Sequence, residues 1–145
     1  MSDVRRLPDL AATEALGASI AYAMDERPGG AIYLRGPLGA GKTSFARGLL
    51  RALGVTGAVR SPTFTLMEVY ETRRASILHL DLYRLSGSDE LYQLGVDEYP
   101  PDAWWWLVEW PERAAEGLPP ASLEIEFAYA GSGRRAELIY HRRGA

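Results

Sequence analysis

Four side chains in this sequence have the types and spacing for phosphate chemistry: one ammonium, one hydroxyl beside it, and two carboxylates that end apolar runs. Lys42 is the only lysine among 16 Lys and Arg residues. It lies in Gly36-Pro37-Leu38-Gly39-Ala40-Gly41-Lys42-Thr43, a complete match to the phosphate-binding pattern G-x-x-x-x-G-K-[ST]. An ammonium is a point charge on a slim stem that can reach β- and γ-phosphates from beneath a tight loop. A guanidinium is a wide planar fork and suits that position less well. Glycines let consecutive backbone N–H groups turn inward around an anion. Gly36, Gly39, Ala40, Gly41, Lys42, Thr43 and Ser44 are therefore the candidate phosphate contacts, with the Thr43 hydroxyl available to a magnesium ion.

A phosphate loop of this kind needs a carboxylate on a neighbouring strand to orient the magnesium. Ile77-Leu78-His79-Leu80-Asp81 and Trp104-Trp105-Trp106-Leu107-Val108-Glu109 each run apolar and end in an acid. Asp81 and Glu109 both qualify, and composition does not choose between them. One can hold the ion while the other orients the attacking water or pairs with Arg84. Ser61-Pro62-Thr63-Phe64-Thr65 places the hydroxyls of Thr63 and Thr65 where a nucleotide-sensing segment follows the phosphate-loop helix.

These residues must be positioned by strand, loop and helix. Ala31-Ile32-Tyr33-Leu34 reads as a strand buried on both faces. After the loop, Phe45, Leu49, Leu50 and Leu53 recur at helical spacing, with Gly54 as the stop. Asp9 reads as the N-cap of an earlier helix carrying Leu16, Ile20 and Met24 on one stripe, broken by Arg27-Pro28-Gly29-Gly30. The segment after Ser61-Pro62 reads as a strand towards Tyr70, and Asp89 to Leu94 as a short helix stopped by Gly95. Leu123, Ile125 and Phe127 alternate with Glu124 and Glu126, and a Gly131-Ser132-Gly133 turn leads into Ala136–Tyr140: a C-terminal β-hairpin.

At 145 residues the expectation is a single domain spanning 1–145. Without cysteine there are no disulfides, iron–sulfur clusters or thiolate zinc sites, and His79 and His141 alone are too few for a conventional zinc site. Met1 to Leu10 carries Arg5 and Arg6 but no apolar run of the leader kind, so no leader is expected, and the longest apolar stretch, Ala103 to Val108, is too short to span a bilayer. A soluble cytoplasmic protein is expected. A net charge of −3 argues against a broad nucleic-acid surface, so neither DNA nor a membrane is an expected partner. Acids dominate from Asp89 to Glu116, opposed by Arg113 alone, while Arg134, Arg135, Arg142 and Arg143 gather near the C-terminus. The sequence has no asparagine, so the guanine-reading N-K-x-D element of GTPases cannot exist here.

Taken together, Gly36–Thr43, Ser61–Leu66, His79-Leu80-Asp81-Leu82-Tyr83-Arg84-Leu85 and Leu107-Val108-Glu109-Trp110-Pro111-Glu112 resemble the TsaE (YjeE) family, ATPases of bacterial tRNA threonylcarbamoyladenosine biosynthesis. The resemblance runs from about Thr13 to the C-terminal hairpin. It implies an α/β P-loop NTPase fold with a mixed, mostly parallel sheet flanked by helices. It also implies ATP and Mg²⁺ as cofactors, and TsaD and TsaB as partners that act on adenosine 37 of tRNA, with any tRNA association indirect. By the same resemblance Thr43 and Glu109 hold magnesium, Asp81 serves hydrolysis, and Thr13, Trp110, Gly133 and Arg134 lie near the nucleotide. Pro37 departs from the polar residue common at that position and has no N–H to donate. Two other readings remain open at this point: a small-molecule kinase, and a nucleotide-gated binding subunit without essential hydrolysis.

Overall fold

Ile32 and Leu34 pack to one side of their strand and Ala31 and Tyr33 to the other, and both sides are buried. A strand apolar on both faces belongs inside a sheet that is covered on both faces. In the computed structural model, which describes residues 2–57 and 66–141, that strand is the middle one of seven. The strands are β1 (Ser2–Leu7), β2 (Gly30–Arg35), β3 (Met67–Glu71), β4 (Ser76–Asp81), β5 (Trp105–Glu109), β6 (Leu123–Ala130) and β7 (Gly133–Tyr140). Their order is β1-β7-β6-β2-β5-β4-β3. The four inner strands β6, β2, β5 and β4 run parallel, and the pairings at both edges are antiparallel. The expected mixed sheet is found, with its parallel part confined to the core.

Helices α1 (Leu10–Ala23) and α2 (Lys42–Ala52) cover one face. Asp9 caps α1, its Oδ1 accepting from the Ala12 amide at 2.9 Å. Gly54 follows the end of α2 at φ +99°; its N–H donates to Arg51 O and that of Val55 to Leu50 O, each at 3.0 Å, which satisfies carbonyls the helix leaves open. The two helices cross at glycines: a Cβ on Gly48 would stand 2.0 Å from Glu14 O, and one on Gly17 2.2 Å from Phe45 O. Phe45, Leu49 and Leu50 are fully buried against Ile32, Leu34, Ile77, Leu107, Ile125 and Phe127. Each such side chain contributes about 1.5–3 kcal/mol. The opposite face is covered by α3 (Ser88–Gln93) and by 3₁₀ turns at Val96–Glu98 and Pro111–Gly117, over Leu78, Leu80, Trp106 and Val108.

Strand β1 is the element the sequence pattern does not announce. Its six residues are mostly polar or charged, with Val4 and Leu7 three apart rather than at a strand's period of two, and it is held by its pairing with β7, from Ser2↔Ile139 to Leu7↔Arg134. The expected strand towards Tyr70 is found as β3, whereas Ser61–Thr65, with Thr63 and Thr65, lies outside the described residues. Among the described residues no helix is long and apolar enough to cross a membrane.

Candidate functional site

The carboxyl ends of β2, β4 and β5 open towards the first turn of α2. Residues of a strand alternate faces, so His79 and Asp81 follow Ile77 onto the α2 side of the sheet, and Glu109 follows Trp105 and Leu107. The parallel register sets Asp81 directly against Glu109. Lys42 and Thr43 begin α2 after Gly41, whose φ of +120° no residue with a side chain adopts readily. Gly36 has a second constraint: a Cβ there would lie 2.4 Å from Phe127 O.

Among the described residues, the buried polar or charged side chains are Thr13, Lys42, His79, Asp81 and Glu109. All five converge here. The Lys42 ammonium donates to Gly36 O at 2.5 Å and sits 3.4 Å from the centre of the Trp110 ring. Burial, outweighing the nearby charges of Glu109, Glu112 and Asp81, holds it below the usual lysine range. Glu109 stands between two partners. Its Oε1 is 3.5 Å from the Thr43 hydroxyl, and its Oε2 is 2.8 Å from His79 Nε2. The carboxylate of Asp81 accepts from the Tyr83 amide at 3.1 Å. Burial first, and the charge of Glu109 second, push its carboxyl above the usual aspartate range.

A cleft of about 460 Å³ spans this cluster, lined by Thr13, Gly39, Gly41, Lys42, Thr43, Ser44, Asp81, Glu109, Trp110 and Arg134, with Tyr83 and Arg84 at the β4 side. Two loop residues named from the motif stand outside that lining. The Gly36 carbonyl is taken by Lys42, and Ala40 is buried in the core with its amide donating to Pro37 O at 3.2 Å. Trp110 has φ +60°, a left-handed backbone that costs of order 1–3 kcal/mol, and its ring meets Tyr83 at 4.9 Å. From the other side the hairpin tip braces the loop. Arg134 Nε donates to Gly39 O at 3.1 Å, its guanidinium lies over the Tyr129 ring, and the Tyr129 hydroxyl donates to Leu38 O.

Sequence reasoning did not single out His79 as part of this site. Its position two residues before Asp81 on a strand was the available signal, since that spacing puts both on one face. Leu7, Pro8, Leu10 and Ser132 also line the cleft and carry no motif.

The residues present fit a phosphate-borne magnesium ion better than a resident metal. Among the described residues no group of three or more His, Cys, Asp or Glu is arranged to hold a metal. Thr43 and Glu109 supply a hydroxyl and a carboxylate oxygen on facing elements. Magnesium asks for no more than one or two carboxylates, because phosphates and water complete its octahedron.

Comparison with known proteins gives a consistent result. The family model described as "Threonylcarbamoyl adenosine biosynthesis protein TsaE" matches residues 7–136. The TsaE protein of Haemophilus influenzae is 42% identical over 108 residues, covering 74% of this chain and 68% of the relative. That of Bacillus subtilis is 41% identical over 109 residues, covering 75% and 68%. The crystal structure of Bacillus subtilis YdiB superposes with a TM-score of 0.79 at 32% identity, covering 97% of this chain and 86% of that one.

Proposed function

Since this chain belongs to the TsaE family, we propose that it is a magnesium-dependent ATPase with a P-loop NTPase fold, supporting threonylcarbamoyl transfer to adenosine 37 of tRNA in the cytoplasm. It acts as an accessory subunit to TsaD and TsaB. The observation that carries this reading is that, of the five buried polar or charged side chains among the described residues, Thr13, Lys42, Asp81 and Glu109 line one cleft with the glycine loop and His79 backs Glu109. Such groups are costly to bury and are kept where chemistry needs them.

The amides of Gly39 and of Gly41 to Ser44, with the positive end of α2, cradle the phosphates, and Lys42 adds a full charge. Thr43 and Glu109 are the residues that would hold magnesium, which would supply positive charge to neutralise the negative charge developing on the phosphates. Asp81 orients the attacking water and takes its proton, a task suited to a carboxyl whose proton affinity burial has raised. Trp110 and Tyr83 shield that end of the cleft from bulk water. Among the described residues, two arginines line the cleft where a finger could act. Arg84 lines the cleft at its β4 side and Arg134 is engaged by Gly39 and Tyr129. An arginine finger is worth about 10³–10⁵ in rate.

The expected behaviour is therefore slow hydrolysis by the isolated chain and acceleration by TsaB and TsaD, measured as phosphate release with and without the partners. A fast rate that partners do not change would count against it. A phosphorylated metabolite in place of free phosphate would turn the reading to a kinase.

A further inference from the structure

His79 is the most deeply placed titratable side chain beside the cleft, 1% exposed, and the mechanism above gives it no task. Its Nε2 lies 2.8 Å from Glu109 Oε2, while its Nδ1 is buried with no protein partner among the described residues. These two facts fix the proton. A carboxylate oxygen at that distance requires an N–H, so Nε2 carries the hydrogen. An N–H on Nδ1 would be a buried donor with nothing to donate to, which costs more than a bare lone pair there. The ring is thus a one-way donor aimed at a single oxygen.

The geometry points to a consequence for Glu109: we propose that His79 is a positioning residue that ties down Oε2 so that Oε1 faces the Thr43 hydroxyl. Glu109 ends β5 and has a free torsion at its carboxyl group. Without the imidazole either oxygen could turn towards Thr43, or the carboxylate could swing towards Lys42. With it, one oxygen is committed and the other is presented at 3.5 Å from Thr43 Oγ1. The imidazole is itself held by the sheet, since His79 pairs with Glu68 on one side and Leu107 on the other. Outer partners that orient a ligating carboxylate in this way commonly change metal affinity by about 10–100-fold when removed. The inference rests on the reading of Thr43 and Glu109 as the magnesium residues.

The test compares the wild-type 145-residue chain with His79→Leu and His79→Gln. Binding of a fluorescent N-methylanthraniloyl ATP is titrated in Mg²⁺ and again in EDTA, and the ratio of the two affinities is the readout. Magnesium should tighten wild-type binding. The gain should shrink about tenfold or more in His79→Leu. It should be largely restored in His79→Gln, whose amide N–H can replace Nε2–H. A His79→Leu protein with the full gain overturns the proposal, as does a His79→Gln protein that loses as much as His79→Leu. A wild-type chain with no gain overturns the ATPase reading, and this proposal with it, so the two failures are told apart. Should His79→Leu not fold, ¹⁵N spectra of the wild-type histidines decide. Nε2 should be protonated and should shift more with Mg·ATP than with ATP in EDTA. A bare Nε2, or equal shifts, overturns the proposal.

Discussion

Two charge clusters lie near the sheet, and they treat their charges in opposite ways. On the face away from α2, Arg35 reaches Glu124 through Nε and Nη2, both at 3.0 Å, and Glu112 through Nη1 at 3.4 Å. His141 Nε2 lies 2.6 Å from the second Glu124 oxygen. Burial of Glu124 works to raise its carboxyl, yet hydrogen bonds from His141 and Arg35 outweigh it and hold the group below the usual range. In the cleft the balance is reversed. Asp81 is raised and Lys42 is lowered, each by burial as the largest cause. In the outer network the partners of Glu124 outweigh its burial, and in the cleft burial outweighs the partners of Asp81 and Lys42. A folded chain tolerates the second arrangement only where binding or chemistry supplies a further partner.

Breaking the cleft cluster should therefore cost function before stability. The largest effect is expected for Asp81→Ala. Loss of a positioned base should lower single-turnover hydrolysis by about 10²–10⁴, while fluorescent-ATP titration still shows binding. Unchanged turnover would remove Asp81 from the chemistry and leave the water to Glu109.

Lys42→Ala comes next. It removes charge-assisted contacts worth about 1.5–3 kcal/mol each, so triphosphate affinity should fall roughly 10–100-fold by calorimetry. The melting temperature without nucleotide should change little, because the lost Gly36 and Trp110 contacts are offset by release of a buried ammonium. Weaker ATP binding with undiminished thermal stability would sharpen the contrast between the clusters. A collapse in stability would erase it, since Lys42 would then be a structural residue.

How far the sequence carries this contrast depends on locality. The glycine loop, the strand before it and the helix after it are contiguous, so their geometry follows from residues 30 to 54 alone. Asp81 and Glu109 were legible as strand-end acids, but their adjacency needs the parallel pairing of β4 with β5, a non-local fact. His79 is hidden for a simpler reason: a lone histidine in an apolar run carries no motif, and only strand alternation puts it on the Asp81 face. Strand β1 was illegible because nothing in Ser2–Leu7 is apolar at a strand's period; its partner strand makes it a strand. The cleft residues Leu7 and Pro8 were lost with it. The outer network escaped notice as well, since Arg35, Glu112, Glu124 and His141 meet only once β2 and β6 lie side by side.

The smallest effect discriminates most cleanly, because the two clusters should respond to pH with opposite signs. Asp81 has a raised carboxyl in the fold, so the folded state holds its proton more tightly than the unfolded chain does. Its contribution is fully present below the unfolded value of 3.8 and is lost as pH rises through the folded one. Ionised Asp81 thus costs stability at neutral pH, and Asp81→Asn should melt higher than wild type at pH 7, with the gain vanishing towards pH 3. Glu124 has a depressed carboxyl, so its contribution is present above the unfolded value of 4.5 and is lost as pH falls through the folded one. Glu124→Gln should melt lower than wild type at pH 7, by about 1 kcal/mol once exposure of His141 and Arg35 is allowed for, and match it in acid. Each kcal/mol reads as about 2–4 °C in a chain near this size. Difference curves against pH should then diverge from a common point in acid, one upward and one downward. If both variants lie below wild type at pH 7, the cleft carboxylate is paired like the outer one. The functional strain inferred from its burial would then be absent.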